Sequence, residues 1–227
     1  MAVSVEYWLI SLEQLGLSTK LWWLLSDDEQ QRAKEFKFLD LQRRFILARA
    51  GLRQILGFYL QRDPRAIAFD YGDHGKPLLP DIAFNLSHTQ KLALCAISLD
   101  VPQAHLGADL EAKRRKSDIL GLAKRFFTAT ESNFLQQLPE TAQQSAFFQL
   151  WTAKEAYLKG IGCGLQGGLD RVEVRLTPTP QLLTPEQQPW SLSLFAPNAD
   201  HWGAIAIDQP GAQFTNRGEW MLYDGAA

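Results

Sequence analysis

The sequence contains few cysteines and little excess charge of either sign. Its two cysteines, Cys95 and Cys163, form neither a Cys-x-x-Cys pair nor a zinc-ligand spacing. We therefore expect two reduced thiols rather than a disulfide framework or a zinc site. The formal net charge of −2 at pH 7 argues against a protein whose whole surface binds nucleic acid or an anionic membrane. Any basic binding surface must be local.

Long apolar runs are also missing. No run approaches the roughly 20 residues that a membrane-spanning helix needs. The first ten residues contain Glu6 and lack the basic segment that opens a secretory signal. We therefore expect a cytoplasmic protein. At 227 residues, 46% of them hydrophobic and 21% charged, the chain has enough apolar side chains for one large domain or two small ones.

Periodicity and turn residues predict two halves that each mix strands with helices, over residues 1–101 and 105–227, joined at Pro102. The predicted fold class is therefore α+β. In the first half, strands are predicted at 3–10, 66–71, 82–86 and 92–99. The capping box Ser26-x-x-Glu29 predicts a helix that begins at about Asp27, and a second helix is predicted from about Asp40 to Leu56, ending at Gly57. In the second half, strands are predicted at 106–110, 171–176, 190–195, 202–207 and 220–223, with helices at 117–127 and 143–159 and a capping box at Thr128-x-x-Glu131.

The last predicted helix carries an aromatic residue, an acid and a base on one stripe. Trp151, Glu155 and Lys159 stand at i, i+4 and i+8, so they share one helix face. A solvent-exposed Glu-Lys pair at this spacing contributes only about 0.2–0.5 kcal/mol. The stripe is therefore either an ordinary surface ion pair or part of a reactive site.

A second acidic pattern, Gly107-x-Asp109-x-Glu111, lies on a predicted strand. Alternation along a strand directs both carboxylates to the same face, where like charges repel unless a cation lies between them. Mg²⁺ binds oxygen ligands and commonly shares one or two carboxylates with substrate phosphates. Together with Glu155 and Lys159, these residues predict a site for a hard metal and a phosphate.

Five motifs in this order resemble those of the 4'-phosphopantetheinyl transferases, specifically the long monomeric class that activates surfactin synthetase and related enzymes. They are Gly75-Lys76-Pro77, Phe84-Asn85-x-Ser87-His88, Gly107-x-Asp109-x-Glu111, Phe127-x-x-x-Glu131 and Trp151-x-x-Lys154-Glu155-x-x-x-Lys159. The resemblance implies two similar α+β halves packed as a pseudo-dimer, with coenzyme A bound between them. It also implies a Mg²⁺-dependent transfer of the 4'-phosphopantetheine arm to a serine of an apo carrier protein, which releases adenosine 3',5'-bisphosphate.

The resemblance also assigns roles to individual residues. Asp109, Glu111 and Glu155 are expected to hold Mg²⁺, and Lys159 is expected to stabilise the negative charge of the reacting phosphates. Glu155 is also the candidate base for the incoming serine, directly or through a water. The coenzyme is expected to contact a further set of residues: Arg44, Lys76, Pro77, Ser87, His88 and Lys159.

Several assignments remain open at this point. Arg44 matches the 3'-phosphate position best, but Arg43, Arg49 and Arg32 are alternatives on neighbouring turns. Glu131 either caps a helix or lies near the metal. The basic run 113–116 is either a solvated loop or a contact for an acidic carrier protein.

One position departs from the family, since Ala108 replaces a branched aliphatic residue. We expect its side chain to point into the packing, away from the carboxylates.

Two functions of other classes use the same residues. A metal-dependent pyrophosphohydrolase would employ the carboxylates with water as the acceptor, although the Glu-Glu helical signature of Nudix enzymes is absent. A non-catalytic module that binds carrier proteins would not need a complete set of charged site residues, and the complete set here argues against it: Asp109, Glu111, Glu155 and Lys159. The sequence does not identify the carrier protein, and two similar halves make a monomer sufficient.

Overall fold

Two long helices and two principal β-sheets organise the part of the chain that the computed structural model describes, residues 2–113, 118–163, 168–185 and 189–224. Within these residues, no helix is both long and apolar enough to cross a lipid bilayer. The helices are α1 (Ser18–Leu21), α2 (Asp27–Lys34), α3 (Leu39–Leu60), α4 (Ile119–Phe126), α5 (Ala129–Gln137) and α6 (Glu140–Gly160).

The strands form two principal sheets and two short hairpins. The first sheet has the order β11-β1-β5-β4 and the second has the order β6-β10-β9, whereas β2 pairs with β3 and β7 with β8. The strand bounds are β1 (Ser4–Ser11), β2 (Asp70–Tyr71), β3 (Pro77–Leu78), β4 (Ala83–His88), β5 (Leu92–Ser98), β6 (Leu106–Ala112), β7 (Glu173–Arg175), β8 (Gln181–Leu183), β9 (Ser191–Phe195), β10 (His201–Ile207) and β11 (Gln213–Glu219).

Three hydrophobic clusters arrange these elements in four layers. The first cluster packs α3 on the first sheet, the second packs α6 on the second sheet, and the third lies between the two sheets. Because side chains alternate along a strand, each sheet contributes one face to its helix and the other to the shared core. The predicted α+β class is confirmed. In this order, the clusters bring together Leu52 with Ile97, Ala153 with Ala206, and Val5 with Ile205.

Both predicted capping boxes are confirmed, at the starts of α2 and α5. The predicted end of α3 at Gly57 is wrong, since the helix continues to Leu60 and Gln61 adopts the left-handed conformation (φ 53°) that closes it. Gly57 serves instead a close approach, because a Cβ there would lie 2.8 Å from the carbonyl oxygen of Arg62. The small residue marks a packing contact rather than a helix end.

Other predicted boundaries also need correction. In place of a strand over 66–71, a 3-10 turn at Pro64–Ala66 precedes the two-residue strand β2, and α6 begins three residues earlier than predicted, at Glu140. The strand predicted at 220–223 is wrong, because the strand is β11, which pairs in parallel with β1. The last strand of the chain therefore belongs to the first sheet, and the division at 101–105 stays a prediction.

Candidate active site

Strand β6 and helix α6 are in direct backbone contact, and this contact builds the site. A Cβ on Gly107 would lie 1.9 Å from the carbonyl oxygen of Ala156 and 2.4 Å from the amide nitrogen of Gly160. Only glycine permits so close an approach of a helix to a strand. The helix face that carries Glu155 and Lys159 therefore lies against the strand face that carries the acidic pair.

Side chains alternate along β6, so its apolar residues face the core and its acidic residues face the site. Leu106, Ala108 and Leu110 point into the core between the two sheets, as expected for Ala108. Asp109 is only 3% exposed and lies beside Lys159, whose ammonium nitrogen is 2.6 Å from Asp109 Oδ1. Lys159 thus pairs across the strand-helix contact, and the interpretation of this lysine as half of a surface Glu-Lys pair is wrong.

The hydroxyl of Ser87 completes this arrangement. Lys159 donates to Ser87 Oγ at 2.8 Å, and Ser87 donates to Asp109 Oδ1 at 3.1 Å. Ser87 also accepts the backbone N–H of Leu110 at 3.2 Å, while Asn85 Oδ1 accepts that of Ala108 at 2.9 Å. The Asn-x-Ser spacing on β4 matches alternate amides on the free edge of β6. These hydrogen bonds therefore join β4 of the first sheet to β6 of the second beside Asp109. The place of Asn85 in the motif had not revealed this role.

Among the described residues, two buried carboxylate oxygens at this site have no hydrogen-bond partner, Asp109 Oδ2 and Glu155 Oε1. The pKa of Glu155 is raised to about 7, mainly by burial and then by the negative charges of Asp109 and Glu111, while the positive charge of Lys159 opposes the shift. Leaving such acceptors unpaired costs about 1–3 kcal/mol each, and more when they are charged. The site is therefore suited to a cation.

The acidic side chains do not form a closed metal cage. Within the described ranges, no group of three or more His, Cys, Asp or Glu side chains is arranged to hold a metal ion. A divalent cation would meet the two unpartnered oxygens and complete its shell with water or phosphate oxygens, which is the usual manner for Mg²⁺. The two oxygens therefore suit a metal ion that binds together with a phosphate ligand.

Two adjoining cavities open at this site and share His88 and Lys159 among their lining residues. The smaller, of about 350 Å³, contains the acidic side chains and is lined by Ser87, His88, Thr89, Asp109, Leu110, Glu111, Ala112, Trp151, Glu155 and Lys159. The larger, of about 450 Å³, is lined by Arg32, Phe36, Phe45, Ala48, Arg49, His74, Gly75, Lys76, Pro77, Asn85, Leu86, His88, Lys159 and Gly162.

The larger cavity combines cationic with apolar groups, as an anionic ligand with an aromatic part requires. Lys76 donates to the carbonyl oxygens of Leu106 (3.0 Å) and Gly160 (2.8 Å), so it ties the start of β6 to the end of α6. Burial lowers the pKa of Lys76 to about 8. The pKa of His88 is also lowered, first by burial and then by the positive charges of Lys159 and Arg49. His74 lies in a turn and also lines this cavity, although it was not predicted as a site residue.

The candidate arginines lie in different places. Arg49 and Arg32 line the larger cavity, whereas Arg43 lines a separate small cavity beside Trp22. Arg44 is absent from the described residues that line the two site cavities. Its assignment to the 3'-phosphate stays a prediction, and Arg49 is the better placed residue.

Glu131 has a structural partner. Its Oε2 lies 2.6 Å from the ammonium of Lys154, and its Oε1 accepts the N–H of Val174 at 2.7 Å. Both oxygens are engaged, which leaves none for a metal. In the basic run 113–116, Lys113 bonds the carbonyl oxygen of Ala199, and the other three residues lie outside the described part.

Comparison with known proteins identifies relatives of this chain. Residues 105–206 match the family model of the 4'-phosphopantetheinyl transferase superfamily. The 4'-phosphopantetheinyl transferase HetI of Nostoc sp. is 41% identical over 210 residues, which cover 89% of this chain and 87% of the relative. The 4'-phosphopantetheinyl transferase Sfp of Bacillus subtilis is 31% identical over 155 residues, 67% of this chain and 66% of that protein.

A solved structure is also similar in part, a holo-(acyl-carrier-protein) synthase from Bacillus anthracis in complex with coenzyme A (3',5'-ADP). It covers 46% of this chain and 95% of its own, with 24% identity and a TM-score of 0.41.

Proposed function

The chain belongs to the 4'-phosphopantetheinyl transferase superfamily, and from that premise we propose that it transfers the 4'-phosphopantetheine arm of coenzyme A to a serine of an apo acyl or peptidyl carrier protein. The serine oxygen forms a bond to the phosphorus nearer the pantetheine arm. The bond from that phosphorus to the bridging oxygen breaks, and adenosine 3',5'-bisphosphate leaves.

The observation that carries this proposal is the joining of two unlike cavities at Lys159. One contains buried carboxylates with unpartnered oxygens, and the other contains cations and aromatic rings. A coenzyme with a nucleotide at one end and a pyrophosphate in the middle needs both environments in sequence. Lys76, Pro77 and Arg49 would contact the nucleotide end, and His88 and Lys159 the pyrophosphate.

The metal belongs to the same proposal. Asp109 and Glu155 would hold Mg²⁺ through their unpartnered oxygens, with Glu111 adding negative charge from the same strand face. Mg²⁺ supplies neutralisation of charge on the pyrophosphate when it is bound.

The protein's own groups carry the remaining steps. Lys159 Nζ is held by Asp109 and Ser87, which presents its charge to the leaving phosphate without reorganisation. Glu155 lines the same cavity as Asp109 and Lys159, and it would take the proton of the serine hydroxyl, directly or through a water.

The test is to incubate the protein with coenzyme A, Mg²⁺ and an apo carrier protein, and then to weigh the carrier by mass spectrometry. We expect the carrier to gain one phosphopantetheine, and Asp109→Ala to abolish the gain while remaining folded. Coenzyme cleavage without mass gain would indicate a pyrophosphohydrolase, and absence of both would indicate a binding module. Full activity in a folded Asp109→Ala variant would overturn the site.

The physiological setting is also a proposal. We infer a cytoplasmic monomer, since coenzyme A is available there and both halves of the site lie in one chain. The carrier protein is left to experiment, because fatty acid, polyketide and peptide synthesis all employ such domains.

A further inference from the structure

A buried histidine that the proposed reaction does not employ lies at the end of an apolar row on β10. His201 is 5% exposed and pairs in register with Ala112. Ile205 and Ile207 stand at alternate positions of the same strand and pack in the core between the two sheets. Because alternate residues of a strand share a face, the ring of His201 is directed towards the first sheet. A buried ring of this kind costs free energy unless its nitrogens are hydrogen-bonded.

Two side chains engage the ring nitrogens of His201. Nδ1 lies 2.8 Å from Asn198 Oδ1, and Nε2 lies 3.3 Å from Thr89 Oγ1. Asn198 Oδ1 also accepts the N–H of Asp200 at 2.9 Å, so this oxygen is an acceptor and the ring hydrogen is assigned to Nδ1. Burial lowers the pKa of His201, which favours the neutral ring. Nε2 is therefore an acceptor that faces the hydroxyl of Thr89.

The hydroxyl of Thr89 organises the turn between β4 and β5. Its oxygen accepts the N–H groups of Lys91 (3.4 Å) and Leu92 (3.3 Å). Its single hydrogen has two acceptors within reach, Leu92 O and His201 Nε2, each 3.3 Å away. Leu92 O already accepts the N–H of Thr89 at 2.8 Å, so donation to His201 satisfies the buried ring as well as the turn. One hydrogen bond thus ties this turn to β10.

The same bond continues the series that joins the two sheets. Asn85 and Ser87 accept hydrogen bonds from alternate amides of β6. Thr89 is the next alternate position, and by this spacing it stands level with Ala112, the register partner of His201. The last link of the series therefore comes from a side chain of β10 rather than from the backbone of β6.

The turn held in this way carries a residue of the candidate site. His88 directly precedes Thr89, and both line the smaller cavity with the carboxylates. His88 also lines the larger cavity, so its ring stands where the two cavities adjoin. We propose that His201 is a positioning residue that holds Thr89 and thereby sets where His88 meets the phosphates of coenzyme A. The inference rests on the proposed function for the identity of the ligand.

The test is a double-mutant cycle on the binding of coenzyme A, measured by calorimetry with Mg²⁺ and without a carrier protein. The proteins are the wild type, His201→Leu, His88→Ala, the double variant and the control His105→Leu, which replaces an exposed histidine before β6. We expect His201→Leu to weaken binding about 3–10-fold, the usual effect of one hydrogen bond, and the control to leave it unchanged. In the His88→Ala background the same substitution should change binding by less than about twofold, because the ring that it positions is gone.

The variants are chosen so that the protein stays folded. In His201→Leu the hydroxyl of Thr89 retains Leu92 O as an acceptor, so no hydroxyl is left without a partner. His201→Gln places an amide near the position of Nε2, which can accept from Thr89, and it should recover part of the affinity. Unchanged affinity in His201→Leu, or equal weakening with and without His88, would show that His201 only fills the core and would overturn the inference.

Nitrogen NMR of the four histidines tests the link without any ligand. We expect the hydrogen of the His201 ring on Nδ1 at pH 7, and we expect the ring signals of His88 to move in His201→Leu and to stay in His105→Leu. A hydrogen on Nε2 of His201, or unmoved His88 signals, would overturn the positioning role. Coenzyme binding that follows the expected cycle without modification of any carrier would overturn the transferase and support the positioning role, so the two failures are distinguishable.

Discussion

Two lysines five residues apart on α6 each pair with a buried carboxylate, yet their surroundings differ. Lys154 is completely buried, lies 2.6 Å from Glu131, and donates to the carbonyl oxygens of Leu169 and Val172. Lys159 is 30% exposed and lies 2.6 Å from Asp109. The first pair links α6 to α5 and the segment before β7, and the second faces the two cavities.

The difference lies in what remains unsatisfied. Glu131 uses both oxygens within the protein, and burial lowers the pKa of Lys154 while the charge of Glu131 opposes that shift. At the other pair, Asp109 Oδ2 and the neighbouring Glu155 Oε1 have no hydrogen-bond partner in the part of the chain that the structure describes. The closed pair, Lys154 and Glu131, stabilises the fold, whereas the open pair, Lys159 and Asp109, retains capacity for a ligand.

The largest expected effect is on the closed pair. Lys154→Met leaves Glu131 charged and buried without its partner, which typically destabilises a protein by about 3–5 kcal/mol. That is a large part of a total stability of about 5–15 kcal/mol. Urea denaturation measures the free energy of unfolding. The double variant Lys154→Met with Glu131→Gln should recover part of the loss, and a single variant as stable as the wild type would contradict a structural role.

The open pair should respond in activity instead. Lys159→Met removes a preorganised charge at the leaving phosphate, so transfer to the carrier should fall by roughly 10²–10³. Because the lysine is partly exposed, the free energy of unfolding should change by only about 1–2 kcal/mol. Steady-state kinetics and urea denaturation of the same preparation measure both. If Lys154→Met and Lys159→Met lower the free energy of unfolding equally and Lys159→Met keeps its activity, the proposed difference between the two lysines is wrong.

Much of this arrangement could be predicted from the sequence because it depends on local patterns. The two capping boxes, the strand of Asp109 and the stripe of Glu155 and Lys159 follow from spacing, and the structure brings these side chains together. Lys154 could not be separated from Lys159 in this way. Its partner Glu131 is 23 positions away on another helix, and only the packing of α5 on α6 brings them together.

The end of the chain shows the same limit from another side. Aromatic residues favour strands, so the prediction placed one at Trp220, but this ring packs on Trp8 and Phe58 and donates to Gln54. The actual strand β11 is polar and largely exposed, because it is an edge strand that owes its place to backbone pairing with β1. An edge strand without an apolar face gives no alternation to detect.

The smallest expected effect concerns how the open site responds to pH. Glu155 has an ordinary pKa of 4.5 in the unfolded chain and about 7 in the folded protein. Between these values the folded state holds a proton that the unfolded chain has released, so this group's contribution to stability falls as pH rises from about 4.5 to 7 and is constant above that. In metal-free protein, the free energy of unfolding of the wild type relative to Glu155→Gln should therefore decrease by about 2 kcal/mol between pH 5 and pH 7.5. Mg²⁺ should reduce this slope, because a cation favours the ionised carboxylate. Urea denaturation across the pH range, first with chelator and then with Mg²⁺, measures both effects. Parallel curves for the wild type and Glu155→Gln without metal would show that folding does not raise the pKa of Glu155.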